Sequence, residues 1–239
     1  MSRRAPPGHP WVIAHRGWSG RYTENTLPAI RAAIGLGVDL VEIDVQETRD
    51  GKLVVFHDYR LDRILGQHRR VRDVRRRELK GVPSLAQALH VCRGKVRLLI
   101  EIKGASGAKV AREIARQHME RQVIVFSIRE VRTRELHREN PRIVVFALGL
   151  SRLRFQCSGF TVQGWGDSRR LVTSRAVVER YHRRGLKLLV WTVNRVEDMQ
   201  RLMRWGVDGL ITNHPDRALA LRSISRRAPA DSRSPRPGG

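Results

Sequence analysis

Cysteines, aromatic residues and long apolar runs are scarce in this sequence of 239 residues. Cys92 and Cys157 are too few for a disulfide framework or a zinc pattern, and they indicate reduced thiols in a cytoplasmic protein. No apolar run approaches the ~18 residues that a transmembrane helix needs. The basic residues 1–10 lead into no apolar stretch of a secretory signal, so we expect a cytoplasmic location.

Acidic residues are also few, because 23 Asp and Glu face 47 Lys and Arg, for a formal net charge of +24. The basic residues are 41 arginines and 6 lysines. Two interpretations are open: an arginine-biased composition without a role, or attraction to anionic lipid, nucleic acid or phosphorylated substrates. Specific nucleic-acid binding is disfavoured, because aromatic residues make up only 5% and no helix-turn-helix or finger pattern occurs. The hydrophobic fraction of 41% excludes a wholly disordered chain.

Short apolar runs of β type alternate with segments of helical periodicity over residues 11–222, which predicts βαβ units and a parallel sheet. About eight units in ~210 residues predict an α/β fold, a compact (β/α)₈ or TIM barrel, after an N-terminal extension over residues 1–10. Residues 150–159 leave room only for a short or irregular crossover. Residues 59–83 are strongly charged and have little apolar content, so we expect them to form a segment outside the barrel after the second strand, which we call the charged excursion. Residues 223–239, rich in Pro, Ser and Arg, are expected to form a disordered basic tail.

Polar side chains of the types that catalyse reactions or bind metal ions lie at or near the ends of predicted strands. His15 and Arg16 end the first strand, and Asn25 is expected to cap the helix that follows. Glu42 and Asp44 lie two residues apart in the second strand, so both carboxylates project from one face. Carboxylates this close repel each other unless a cation or a proton lies between them. Oxygen ligands of this kind suit Mg²⁺, Mn²⁺ or Ca²⁺ better than zinc.

Two more clusters continue this pattern. His57 follows a predicted strand over residues 53–56, and Glu101 and Lys103 share one face of a strand over residues 96–102. Each has a simpler interpretation, because a histidine at a strand end is usually only a satisfied polar residue and a Glu–Lys pair can be structural. The convergence of three carboxylates and two imidazoles at carboxyl ends of strands, where TIM-barrel active sites lie, favours catalysis. A further strand is predicted over residues 160–162.

In this order the residues resemble the glycerophosphodiester phosphodiesterase family, whose pattern is HRG, ENT, E-x-D, D-G, H-D and E-x-K. The matching residues are His15-Arg16-Gly17, Glu24-Asn25-Thr26, Glu42-Ile43-Asp44, Asp50-Gly51, His57-Asp58 and Glu101-Ile102-Lys103. The similarity continues through Trp191-Thr192-Val193-Asn194 and Gly206-Val207-Asp208-Gly209, and so covers about residues 11–217. The family fold is a (β/α)₈ barrel, in agreement with the strand–helix alternation.

The resemblance implies a role for eight residues. By role they are the general acid/base pair His15 and His57, the ligands Glu42, Asp44 and Glu101 of one divalent cation (Mg²⁺, Ca²⁺ or Mn²⁺), the phosphate-lining residues Arg16 and Lys103, and Trp191. Trp191 matches an aromatic residue near the mouth of the barrel, or is only a residue of the barrel wall. The chain departs from the family at Thr23, where proline is usual, and at Asn213, where aspartate is usual.

The implied activity is hydrolysis of a small-molecule glycerophosphodiester to glycerol 3-phosphate and an alcohol. The short, arginine-rich excursion over residues 59–83 leaves the identity of the alcohol open. One alternative is a lysophospholipase D, which cleaves the same bond in a lipid that keeps an acyl chain. The other is a non-catalytic basic barrel that binds anionic membrane or nucleic acid. Weak contact with an anionic membrane surface is expected from the arginines at 69–77 and from the tail.

Overall fold

The computed structural model describes residues 9–149 and 160–227 of the chain. Strands and helices alternate along most of this length. In chain order they are β1 (Trp11–Ala14), α1 (Leu27–Leu36), β2 (Leu40–Glu47), β3 (Leu53–Val55), β4 (Arg60–Leu61), α2 (Asp62–Leu65), β5 (Gln67–Arg70), α3 (Leu85–Cys92), β6 (Arg97–Ile102), α4 (Gly107–Arg116), β7 (Val123–Phe126), α5 (Glu130–Glu139), β8 (Val144–Val145), β9 (Ala147–Leu148), β10 (Gly164–Ser168), α6 (Arg175–His182), β11 (Lys187–Trp191), α7 (Val196–Trp205), β12 (Gly209–Thr212) and α8 (Pro215–Arg227).

Parallel pairing joins the described strands into a nearly closed barrel. The order is β8, β7, β6, β2, β1, β12, β11, β10 and β9. β8 and β9 are two halves of one strand position that is interrupted at Phe146, since β8 pairs with β7 and β9 pairs with β10. The Gln163 amide donates to the Val145 carbonyl at 3.1 Å and continues this junction. The predicted (β/α)₈ barrel is confirmed.

Two apolar layers cover the two faces of the barrel strands, and β2 shows how they arise. Leu40 packs inside the barrel, whereas Val41 and Ile43 pack outward against the helices. Side chains alternate along a strand, so Glu42 and Asp44 share the inward face of Leu40 and are nearly fully buried. The strand period thus places both carboxylates inside the barrel.

Residues 53–83, which include β3 and the charged excursion, differ from expectation in two ways. β3 is not a barrel strand, because it pairs antiparallel with the end of β2, with Val55 opposite Val45. It therefore runs back toward the barrel and returns His57 to the mouth. The excursion also has an apolar core of its own, contrary to the low apolar content read from the sequence. Its buried residues are Leu61, Val71, Val74, Leu79 and Val82, and they pack with Val54 and Phe56 of the preceding segment.

Three local predictions are wrong, and three others fall wholly or mostly outside the described residues. Thr26, not Asn25, caps α1, because its hydroxyl accepts from the Ala29 amide. The strand predicted over 160–162 lies instead at Gly164–Ser168. The final helix does not end at Arg222 but continues to Arg227, so the predicted tail loses its first residues to α8. The short crossover at 150–159, most of the N-terminal extension and the remaining tail at 228–239 fall outside the described residues.

No helix in the part of the chain that the structure describes is long and apolar enough to span a membrane.

Candidate active site

A cavity of about 110 Å³ opens at the carboxyl ends of the barrel strands. Seven of the eight residues singled out in the sequence line it, and the eighth, Asp44, lies directly beside Glu42 and Glu101. The full lining is His15, Arg16, Glu42, His57, Glu101, Lys103, Phe126, Ile128, Leu148, Trp191, Thr192 and Ile211. Barrel closure and the return of β3 toward the barrel thus bring all eight residues together, although they come from widely separated parts of the sequence.

Three carboxylates form the floor of this cavity. Glu42, Asp44 and Glu101 each offer an oxygen within 4.8 Å of the other two. Burial and the charge of Asp44 raise the pKa of Glu42 well above its usual range, and the same two effects raise the pKa of Glu101 to about 7. Asp44 Oδ1 is buried and has no hydrogen-bond partner among the described residues. A buried group of repelling oxygens with one free acceptor fits a hard divalent cation.

Arg16 is fixed against these carboxylates by its backbone and by its side chain. Its amide donates to Glu42 Oε2 at 2.8 Å, Nη1 donates to Glu24 Oε1 at 2.8 Å, and Nε lies 3.2 Å from Asp44 Oδ2. The residue adopts a left-handed φ of 57°, a strained conformation that is often found at functional sites. Gly17 follows with a φ of 80°, and a Cβ there would lie 2.7 Å from the Ala29 backbone. The glycine thus allows the tight turn that holds Arg16 in place.

The His15 ring is oriented by a residue from the other end of the chain. His15 Nδ1 lies 2.6 Å from Asn213 Oδ1, and since an amide oxygen only accepts, Nδ1 carries the hydrogen. Nε2 is thereby left to face the cavity, 3.9 Å from Glu42 Oε2. Burial, aided by the charge of Arg16, lowers the pKa of His15 to about 4. The ring is therefore neutral at neutral pH and presents an acceptor nitrogen.

The His57 ring is held in the same way. Its Nδ1 lies 2.6 Å from Asp58 Oδ1, and its Nε2 lies 3.2 Å from Lys103 Nζ. Gln46 Nε2 donates to the carbonyls of His57 at 3.0 Å and of Asp58, which holds the segment after β3 against β2. Both imidazoles therefore present Nε2 to the cavity.

Lys103 lies between an acid and an imidazole. Its Nζ is 3.1 Å from Glu101 Oε1, in addition to its contact with His57. The side chain is nearly buried, so it supplies a positive charge inside the cavity rather than in solvent. An anionic group that enters the cavity would meet Lys103 on one side and Arg16 on the other.

The opposite wall of the cavity is apolar. It is formed by Phe126, Leu148, Ile211 and Trp191, whose indole Nε1 is buried without a hydrogen-bond partner among the described residues. Trp191 thus lines the cavity. A ligand in this cavity would have carbon atoms against this wall and charge against the polar floor.

A second, larger cavity of about 410 Å³ adjoins the first, and the two share His57 and Lys103. It is formed by the start of the charged excursion. Its lining is His57, Asp58, Tyr59, Arg60, Asp62, Arg63 and Lys103. The excursion therefore shapes the outer part of the site.

Several residues that position the site were not assigned to it from the sequence. Asn25, expected as a helix cap, instead donates from Nδ2 to Asp44 Oδ2 at 2.9 Å, and its φ is 58°. Asn213, noted only as a departure from the family pattern, contacts His15 directly. Arg63 donates to both Asp58 and Glu24. No local signal reveals these contacts, since each depends on how distant segments meet.

The comparison with known proteins agrees with this geometry. The model of the glycerophosphoryl diester phosphodiesterase family matches residues 15–217. A glycerophosphodiester phosphodiesterase of Caldanaerobacter subterraneus is 31% identical over 243 residues, which cover 88% of this chain and 96% of that protein.

Solved structures share the fold. A glycerophosphodiester phosphodiesterase of Agrobacterium tumefaciens has a TM-score of 0.77 at 24% identity, covering 87% of this chain and 98% of that one. A phosphodiesterase of Oleispira antarctica has a TM-score of 0.79 at 22% identity, covering 90% and 97%. With most of the chain matched by the family model and by a full-length relative, this protein is an enzyme of the glycerophosphoryl diester phosphodiesterase family.

Proposed function

We propose that this enzyme hydrolyses glycerophosphodiesters to glycerol 3-phosphate and an alcohol, with one divalent cation held by Glu42, Asp44 and Glu101. The observation that carries the proposal is the single cavity in which this carboxylate group meets two imidazoles that both present Nε2. The phosphodiesterase of Oleispira antarctica, which has the same fold, was solved in complex with its product sn-glycerol-3-phosphate, and this supports the reaction.

The cation would be Mg²⁺, Mn²⁺ or Ca²⁺, because all three donors are carboxylate oxygens. When bound, it would supply positive charge that polarises the phosphoryl group. Asp44 Oδ1, buried without a hydrogen-bond partner, is the acceptor best placed for it. Asn25 and Arg16 hold the other oxygen of Asp44 and so orient the carboxylate.

Arg16 and Lys103 bind the phosphate in this proposal. The phosphate of a diester carries a negative charge that repels an incoming nucleophile, and fixed cations in a buried site reduce that repulsion. Arg16 is held by Glu24 and Asp44, and Lys103 is held by Glu101, so neither side chain has to reorganise during the reaction. The apolar wall with Trp191 would contact the carbon atoms of the glycerol.

The two histidines move protons in opposite directions. His15, with its pKa lowered to about 4, is neutral and can accept a proton at Nε2 from the attacking hydroxyl. His57 acts as the general acid in its imidazolium form: Nδ1–H is held by Asp58, and Nε2–H gives its proton to the departing oxygen on the side of the larger cavity. Proton transfer of this kind contributes about 10²–10⁴-fold in rate for each group. The attacking hydroxyl is that of water or the 2-hydroxyl of the substrate, and detection of a cyclic phosphate product distinguishes the two.

The experiment that tests the proposal measures glycerol 3-phosphate release from glycerophosphocholine, with and without chelator. Release that stops in excess chelator and returns with Mg²⁺, Mn²⁺ or Ca²⁺ supports both the reaction and the cation. Full activity in excess chelator would remove the cation from the proposal. No release from any glycerophosphodiester, with each cation supplied in turn, would overturn the reaction itself.

A further inference from the structure

Large apolar side chains are exposed at five positions in the part of the chain that the structure describes. They are Tyr22, Tyr59, Ile128, Val131 and Ile224. Single exposed apolar residues are common on soluble proteins and need no explanation. Their distribution here is uneven, because four of the five lie at the carboxyl end of the barrel.

The four positions lie on the part of the cavity mouth that the segments after β1, β3 and β7 form, and we call them the rim surface: Tyr22, Tyr59, Ile128 and Val131. Tyr22 lies in the loop between β1 and α1, and Tyr59 lines the larger cavity. Ile128 lines the catalytic cavity and is still 55% exposed. Val131 lies in the first turn of α5 and is 51% exposed.

The fifth exposed residue lies at the other end of the molecule. Ile224 is 66% exposed and belongs to the last turns of α8. Since α8 begins at the carboxyl end of β12 and runs back along the barrel, its last turns lie near the amino ends of the strands. Ile224 is therefore an exposed apolar residue remote from the active site, and it serves as a control for substitutions in the rim surface.

Exposed arginines lie on loops at the same end of the barrel as the rim surface. Arg21 follows β1 and lies 5.4 Å above the Trp18 ring, and Arg129 is adjacent to Ile128. Arg169 and Arg170 follow β10, and both are exposed. Apolar side chains that project singly between arginines are typical of a surface that binds a lipid interface, where the apolar groups enter the headgroup region and the cations remain among the phosphates.

We propose that the rim surface docks on an anionic lipid bilayer, with Ile128 and Val131 inserted among the headgroups and the cavity mouth facing the lipid. Charge complementarity favours this occupant, because the whole chain carries a formal charge of +24 and anionic lipids carry phosphates. A protein partner is disfavoured, because arginines separate the apolar residues and interrupt any continuous apolar groove. This inference goes beyond the proposed function, and its test measures binding rather than hydrolysis.

The test is co-sedimentation of the full chain with vesicles of mixed phosphatidylglycerol and phosphatidylcholine, with pure phosphatidylcholine vesicles alongside. We expect the wild type to bind the mixed vesicles at ~50 mM salt, to be released at ~500 mM salt, and not to bind the neutral vesicles. Val131→Glu should lower the affinity for mixed vesicles about tenfold. Ile224→Glu introduces the same side chain at the opposite end and should leave binding unchanged.

Both variants keep the arginines at 69–77 and the tail, so adsorption through those segments is common to the two. Unchanged turnover of soluble glycerophosphocholine in both shows that the fold and the active site are intact. The proposal is overturned if the wild type does not bind the mixed vesicles, or if the two variants lose binding equally. It is also overturned if the purified protein self-associates and Val131→Glu abolishes that association, because the rim surface would then bind a second copy.

Discussion

Arg63 and Glu24 are 39 residues apart in the chain, and their side chains meet beside the entrance of the catalytic cavity. Arg63 donates from Nη1 and Nη2 to the two oxygens of Glu24, at 3.0 and 2.6 Å. Arg63 Nε also donates to Asp58, which orients His57, while Glu24 accepts from Arg16. One guanidinium thus connects the proposed proton donor to the proposed phosphate-binding residue.

Loss of this connection is expected to lower turnover. Burial opposes ionisation of Asp58, but hydrogen bonds from Arg63 and His57 lower its pKa, so it stays charged and holds the His57 ring. Arg63→Gln should reduce kcat about 10–100-fold, the usual effect of removing a residue that orients an active-site side chain.

Arg69→Gln is the matched control, because Arg69 lies in the same excursion, is about as exposed and pairs with Glu78 instead. It should leave kcat unchanged. Arg63→Lys keeps the charge but not the two parallel hydrogen bonds, and should not restore the rate. Steady-state kinetics on glycerophosphocholine checks all three variants. Equal rates for Arg63→Gln and the wild type would show that Asp58 and Glu24 need no common partner.

Asp44→Asn is expected to abolish cation binding while leaving the fold intact. The amide keeps the size of the side chain but removes a charge from a group in which Glu42 and Glu101 lie within 4.8 Å. Turnover should fall at least about a hundredfold. The independent readout is thermal unfolding, because an ion that binds only the folded state raises Tm. Mg²⁺, Mn²⁺ or Ca²⁺ should raise Tm of the wild type and of the exposed control Asp73→Asn, but not that of Asp44→Asn.

The residue at position 213 should set the pH at which His15 becomes inactive. His15 acts as base only when neutral, so activity is lost as pH falls through its pKa. Asn213→Asp places a carboxylate beside Nδ1, which raises the pKa of His15 and shifts the acid limb of kcat/KM to higher pH. Measurement of kcat/KM from about pH 4 to about pH 9, at saturating cation, tests this.

His15→Ala should lose orders of magnitude in kcat, and a variant with near wild-type turnover would contradict the role of His15.

A buried ion pair fastens the last helix to the barrel. Arg222 in α8 pairs with Asp39, whose Oδ2 also accepts from the Val12 amide at 2.7 Å. Both side chains are nearly buried, so Arg222→Ala leaves an uncompensated carboxylate and should cost about 3 kcal/mol of unfolding free energy. Arg217→Ala, an exposed position on the same helix, should change it by less than about 0.5 kcal/mol. Urea unfolding measures both, and equal midpoints would contradict the prediction.

Cys92 is expected to be inert toward thiol reagents in the folded protein. It is buried, and burial raises the pKa of its thiol to about 12. A raised pKa favours the neutral thiol, so almost no thiolate forms at about pH 8, and the thiolate is the reactive species. The experiment uses a Cys157→Ser background, because position 157 lies outside the described residues. Labelling should occur only after unfolding in urea, and stoichiometric labelling of the native protein would disprove the expectation.

Local periodicity made much of the barrel predictable from the sequence. In β2 the alternation of Leu40, Glu42 and Asp44 with the apolar residues between them predicts a strand buried on both faces, with two carboxylates toward the interior. That inference needs only the period of two of an extended chain, which does not depend on distant residues. The alternation of such strands with helical segments likewise predicts parallel pairing.

Where the structure departs from expectation, tertiary contacts determined the strand pairing or the helix cap. Apolar residues 53–56 have the composition of a strand, but only the pairing of β3 with β2 makes that strand antiparallel and returns His57 to the mouth. Asn25 has the side chain of a helix cap, yet its amide contacts Asp44 and Thr26 caps the helix instead.

The sequence by itself determined the strand and helix pattern, the family and the residue types of the site, because periodicity and short motifs are local. The tertiary structure alone decided which of these residues touch. His15 meets Asn213 across 198 residues because β1 pairs with β12, and Lys103 meets His57 because β3 folds back on β2. Such contacts depend on barrel closure and on the pairing of β3 with β2, which are properties of the assembled strands and of no single segment.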